Sequence, residues 1–275
     1  MPVIIRKMDH VKKLVSSGCD IIHLLNREVT GNDQIVLDYI KVAPDSEYDV
    51  ELDIGAVGWI QVLSGTGTFE GTTDILSSNL MSYLPQGFHS RYAAGNSGSE
   101  LLIARIPNAN RFDPDIKNMP QNLRHVDWTR EPILESEHDA RKRVYLATPA
   151  LAGTNAFKGE MITYPPGTAA PEHHHVGAEH FQYIISGHIT ALLNGDRQEL
   201  EAGDILYNFE HELHTFINES NAEAKFVEFF VPGPCETVWS PGANVCAWLP
   251  TGIDSQGRKP TRDIAYHIHG QDDGL

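Results

Sequence analysis

Cysteine is scarce in this chain. Cys19, Cys235 and Cys246 are the only three in 275 residues, and their spacing makes neither a disulfide framework nor a thiolate metal site. Reduced thiols in a cytoplasmic protein are therefore expected. Long apolar runs are missing too: nothing approaches the roughly 20 residues that span a bilayer. The start, Met1-Pro2-Val3-Ile4-Ile5-Arg6-Lys7, turns polar too soon for a secretory signal. Positive charge is the third shortage, with 21 Lys and Arg against 37 Asp and Glu and a formal net charge of -16. A surface of that sign repels nucleic-acid phosphates and anionic lipid heads, which excludes both as expected partners. What remains is an ordinary globular composition, 41% hydrophobic and 21% charged, and a small molecule as the expected partner.

An internal repeat organises the chain. Gly58-Trp59-Ile60-Gln61-Val62-Leu63-Ser64-Gly65 mirrors His180-Phe181-Gln182-Tyr183-Ile184-Ile185-Ser186-Gly187. Leu80 to Pro85 mirrors Asp204 to Phe209, and Leu101 to Pro107 mirrors Phe226 to Pro232. Each copy is a series of short strands rich in β-branched and aromatic residues, cut by Gly, Asn and Asp turns. That pattern predicts an all-β fold with one sandwich or barrel per copy. Between Asp9 and Asn26 the apolar spacing (Val11, Leu14, Ile21, Leu24, Leu25) predicts a short helical segment. Glu131, Glu135, Glu137 and Asp139 read as a solvated connector face. The segment after Pro232 holds Trp239 and Trp248, so it is expected to pack on a barrel or on a second subunit.

Histidines crowd one stretch, Pro171-Glu172-His173-His174-His175-Val176-Gly177-Ala178-Glu179-His180, and His214 follows in the next strand pair. Converging imidazoles suit iron, zinc, copper or nickel. The pattern resembles the cupin superfamily, whose first motif reads G-x5-H-x-H-x(3 or 4)-E-x6-G and whose second reads G-x5-P-x-G-x2-H-x3-N. Gly167, His173, His175, position 180 and Gly187 match the first spacing; Gly203, Phe209, His211, His214 and Asn218 match the second. The resemblance spans Leu146 to Pro232, and through the repeat it extends more weakly over Val36 to Pro107. It implies two tandem cupin barrels of the jelly-roll, or double-stranded β-helix, type. The expected division is a metal-free barrel over 1–112, a connector over 113–142, a metal-binding barrel over 143–233 and an irregular tail over 234–275.

One ligand position departs from the family pattern. His180 stands where the motif has glutamate, so the resemblance implies a four-histidine site of His173, His175, His180 and His214. Glu179 is the competing ligand, through a bulge that would absorb one residue. A metal-free polar core competes as well, although burying four unpaired imidazoles is costly. His174 faces away; His188, His211, His267 and His269 are set aside as chance spacings. Gln182, two positions beyond His180, is expected to orient substrate or water, with a core amide as the alternative. In the amino-terminal copy Glu51, Asp53, Gly58 and Ser90 occupy the four ligand positions, so that barrel is expected to be silent.

An all-histidine centre keeps the full charge of its metal and favours substrates that chelate as enolate, catecholate or 2-oxo acid. The resemblance thus implies an enzyme, with an Fe(II)-dependent dioxygenase of a small phenolic, diketone or keto acid as the first expectation. Zn, Ni, Mn and Cu are the other metals considered. A non-oxidative isomerase, cyclase or lyase on the same site is the alternative, and a metal-gated binding protein without turnover is a third. A homodimer is expected, because a silent barrel and a tryptophan-bearing tail offer surfaces to bury.

Overall fold

A computed structural model describes residues 1–10, 13–16, 18–116, 122–271 and 275. The described chain is built almost wholly of antiparallel strands, and it divides into two compact units. One comprises His10–Trp128 with Leu151–Ala156; the other comprises Met1–Asp9, Thr129–Ala150 and Phe157–Leu275. Among the described residues no helix is long and apolar enough to cross a membrane.

The first unit is an eight-stranded antiparallel sheet whose longest members, Val57–Phe69 and His89–Ile106, pair along their length. Ile60, Val62, Leu84, Leu101 and Ile103 meet in its core with Phe69 and Tyr92. Alternate residues of a strand share a face, so the i, i+2 apolar pairs of these strands line one interior. Cys19–Leu25 is a strand paired with Val36–Val42, where helical spacing predicted a helix. Its side chains are buried on both faces, and the sheet contacts outweigh the local helical period. Helix follows only in the single turn Arg27–Thr30, capped by the Asn26 side chain on the main-chain N–H groups of Glu28 and Val29. Val11 and the Leu14 side chain of the expected helix lie outside the described residues.

The second unit packs a nine-stranded sheet on a five-stranded one. Tyr145, Ile162, Leu206 and Phe226 from the larger sheet join Ile189, Leu193, Leu200 and Phe216 from the smaller in one core. The site is carried by neighbouring strands. His173–Val176 lies between His214–Ile217 and Glu236–Trp239 in the small sheet; Glu179–Ser186 lies between Ile205–Asn208 and Ala224–Val231 in the large one. Met1–Asp9 goes with this unit and not with 10–112. Val3–Ile5 adds an edge strand beside Ile205–Asn208, and the buried Asp204 carboxylate accepts from the Lys7 main-chain N–H at 2.8 Å. Strand Arg124–Asp127 belongs to the first unit and Leu134–Ser136 to the second, so the expected connector is divided between them. Glu131 is buried against Arg262 and Thr261, contrary to the solvated face expected of it.

The repeat is visible in the pairing. Gly58 stands opposite Leu84 and Arg105, and His180 stands opposite Asn208 and Phe230. Gly65 and Gly187 both adopt left-handed backbone (φ 76° and 79°), and a Cβ at either would strike a main-chain carbonyl, of Gly98 or Glu223. Glycine is the residue that tolerates both conditions.

The tail returns to its own unit. Glu236–Trp239 pairs with His173–Val176, Ala247–Pro250 with Leu134–Ser136, and His267–Ile268 with Ala247–Pro250. Trp248 is fully buried there, stacked on the Arg143 guanidinium at 4.1 Å.

Candidate metal centre

Strand alternation delivers the imidazoles. In His173–Val176 the burial runs in, part, in, part, so His173 and His175 point inward and His174 points out, its ring 5.7 Å from that of His211. On the next strand His180 is buried at 1% exposure, while Glu179 faces the other way and accepts from the Tyr207 hydroxyl. The geometry therefore brings His180, and not Glu179, to the cluster. His214 begins its strand directly opposite His173. Ring centroids lie at 4.9 Å for His173 and His175, 4.4 Å for His173 and His214, and 4.8 Å for both His175–His180 and His180–His214.

The second nitrogen settles the orientation of His173 and His214, while His180 Nε2 stands 3.3 Å from the Asn208 side-chain amide nitrogen. His173 Nδ1 meets the Pro171 carbonyl at 2.8 Å and His214 Nδ1 the Glu212 carbonyl at 2.8 Å. A carbonyl only accepts, so both rings carry the proton on Nδ1 and present an Nε2 lone pair. His175 Nδ1 is 3.2 Å from the Thr237 hydroxyl, contributed by the tail. His175 Nε2, His180 Nδ1 and His214 Nε2 are buried without hydrogen-bond partners among the described residues. Orphaned ring nitrogens in one dry cluster are the chemistry a divalent transition metal satisfies, so these residues fit one.

Two further residues enter that the motif spacing does not contain. Among the described residues no one group of mutually close ligand atoms holds all four expected histidines: Glu228 joins His175, His180 and His214 in one group, and His269 joins His173 and His175 in another. His269 comes from the tail whose histidines were set aside as chance spacings. His267 is different: Ala265 O and the Tyr145 hydroxyl occupy its two nitrogens, which makes it a structural latch. Glu228 had a signal in the sequence, as the lone charge inside Phe226-Val227-Glu228-Phe229-Phe230-Val231 at an inward position.

Glu228 is 4% exposed and its Oε1 lies 3.6 Å from His180 Nε2. Burial, and next the facing carboxylate of Glu160, push its carboxyl up to about 8. Gln182 is wholly buried. Its amide nitrogen donates to Glu228 and its oxygen accepts from Asn208, so it positions Glu228 with both ends of the amide engaged. Burial and, next, neighbouring imidazoles hold His173, His175 and His180 well below the ordinary imidazole range; burial takes His214 to about 4. These rings are neutral at pH 7, as metal ligation requires.

A cavity of about 20 Å³ adjoins the cluster, lined by His173, His214, His269, Arg143, Trp239 and Glu228 among others. That is room for roughly one water-sized group. In the first unit the matching positions hold exposed Glu51 and Asp53, Gly58, and part-exposed Ser90, and both potential ligand groups among the described residues lie in the second unit.

Residues 160–230 match the cupin domain family. Over 83 residues, 30% of this chain, the sequence is 31% identical to the tetracenomycin polyketide synthase protein TcmJ of Streptomyces glaucescens, covering 55% of it. The chain thus matches about half the length of that curated relative. Solved structures of Bacillus subtilis oxalate decarboxylase share the fold, with a TM-score of 0.67 over 86% of this chain and 79% of that one at 16% identity. The form at pH 4.6 gives 0.66 over 86% and 78%. At that identity the likeness concerns the fold alone, two tandem cupin barrels. Together these matches support the cupin superfamily, with a cupin domain over 160–230.

Proposed function

We propose that this chain is a metal-dependent enzyme that carries out a non-oxidative lyase, isomerase or cyclase reaction on a small chelating carboxylate or enolisable carbonyl compound. The observation that carries the reading is the buried carboxyl of Glu228, its Oε1 3.6 Å from His180 Nε2 and held by the Gln182 amide. His173, His175, His180 and His214 would hold the metal. When bound, a divalent metal supplies Lewis acidity toward developing negative charge on a chelated oxygen.

The chain's own residues do the rest. Glu228 would hold a proton at its carboxyl and give it to the carbon that keeps the electron pair when a C–C bond breaks and the other carbon fragment departs, which is general-acid work suited to a carboxyl whose pKa burial raises. Gln182 and Asn208 keep that carboxyl on the cluster. Phe230, stacked on His180 at 5.0 Å, and Trp239, 5.1 Å from His173, keep water away and strengthen every charge interaction inside. The names of the relatives favour this class: a decarboxylase shares the fold, and a polyketide synthase protein is the sequence match. Manganese belongs among the metals tried, since another structure of that decarboxylase concerns its Mn(II) centres.

An Fe(II)-dependent dioxygenase is the second reading, favoured by imidazole at position 180, which leaves no anionic ligand among the four motif positions. Metal analysis followed by turnover under argon separates the two. Product formation from 2-oxo acids, 1,3-diketones or dicarboxylates at an unchanged rate without oxygen is the expected result; iron content with stoichiometric oxygen uptake would reverse the order. His180→Ala is expected to lower the metal-to-protein ratio, with Glu179→Ala at the wild-type value. Equal losses would mean the register of ligands is misassigned. A homodimer remains part of the proposal, with its mass in solution as the check.

A further inference from the structure

His269 reaches the cluster from the tail, its ring 5.6 Å from His173 and 5.3 Å from His175, and it shares the dry cavity with them. Proximity alone would make it a fifth metal ligand. Its other nitrogen argues otherwise. His269 Nδ1 stands 3.0 Å from Arg143 Nη2, and a guanidinium has five N–H donors and no acceptor. Nδ1 is therefore the accepting nitrogen, and the ring's own proton sits on Nε2. This is the reverse of His173 and His214, whose Nδ1–H groups point at carbonyls.

The arrangement is held from behind. Arg143 is 2% exposed, ion-paired with the fully buried Glu160 at 3.0 Å, and donates to the Tyr145 hydroxyl at 3.2 Å. Trp248 stacks on its face, and Tyr145 ties His267 two residues before His269. The guanidinium cannot turn into an acceptor, so the tautomer of His269 is locked. Among the described residues His269 Nε2 has no hydrogen-bond partner, and the ring lines the cavity beside the metal-ready nitrogens.

We infer that His269 is a hydrogen-bond donor to an anionic oxygen of the substrate and not a metal ligand. The ligand class that fits is a small carboxylate or enolate, one oxygen directed to the metal that the histidine cluster would hold and one on His269 Nε2–H. A donor placed where negative charge develops stabilises it most in a water-excluded site. The inference rests on the proposed function in taking the histidine cluster as the place where substrate chelates.

Three measurements test it, with oxalate as the chelating probe. Long-range nitrogen–proton correlation spectra of metal-free protein should show His269 protonated at Nε2 and His173 and His214 at Nδ1, with the His269 Nε2–H resonance moving on adding oxalate. In Co(II)-loaded protein, His269→Ala should leave cobalt affinity within about twofold of wild type and weaken oxalate roughly tenfold to hundredfold, the range for a lost hydrogen bond to a charged group. His269→Gln, which keeps a donor, should recover part of that loss. Cobalt lost from His269→Ala as from His175→Ala, or an Nδ1-protonated His269, overturns the inference; so does unchanged oxalate affinity. Wild-type protein that takes up no divalent metal would instead sink the proposed function, while the metal-free spectra still judge His269 on their own.

Discussion

His175→Ala is expected to abolish metal binding and with it turnover, the largest effect of any single substitution in the chain. His175 is the one residue common to both groups of potential ligand atoms. It is 1% exposed, and its Nε2 has no other partner to turn to. Loss of residues that merely support metal ligands typically costs about 10–100-fold in affinity, so loss of a central ligand should exceed about 100-fold. Chelator competition on purified protein reads the affinity directly. The cavity left behind is polar and small, so the fold should survive, and an unchanged far-ultraviolet spectrum with a melting point near wild type would confirm that metal loss is local. Stoichiometric metal in His175→Ala would mean that His175 is not a ligand. His174→Ala, one residue away on the outer face, is the matched control and should bind metal as wild type does.

The contrast between His174 and His175 also marks how far the sequence could be read. Two-residue alternation on a strand is enough to sort inward from outward histidines, and motif spacing then selects His180 over Glu179 and reaches His214. The loss of motif residues in the first copy was legible in the same way, because Gly58 carries no ligand atom. Two kinds of information were missing. Helical spacing in Cys19–Leu25 misled, since burial on both faces of a strand leaves an apolar pattern with no period of its own. His269 meets Arg143 across 126 positions, and Arg143 meets Glu160 only through the pairing of two strands, so no local spacing predicts the set. Glu228 lies between these cases: a lone carboxylate in an apolar strand is a readable signal, but its partners are not.

Those distant contacts meet at Arg143, which leads to the second large effect. Arg143→Met should destabilise the second unit by roughly 3–5 kcal/mol, the usual cost of removing one partner of a buried ion pair. Methionine keeps the apolar stem that packs on Trp248, so the loss is that of the charge and not of volume. Glu160, wholly buried, is then left facing Glu228 across the strand pair, two carboxyls with no cation between them. At about 2–4 °C per kcal/mol for a domain of this size, the melting point should fall by on the order of 10 °C. Adding Glu160→Met should recover much of that, because replacing a buried pair by apolar side chains is often neutral. The double variant separates stability from function. It should fold and still take up metal, since His173, His175, His180 and His214 are untouched. It should not recover oxalate affinity, because without the guanidinium nothing holds the His269 proton on Nε2. A melting point within about 2 °C of wild type for Arg143→Met alone would show that the pair is not the keystone inferred from its burial. Full recovery of oxalate binding in the double variant would show that the tautomer is set elsewhere.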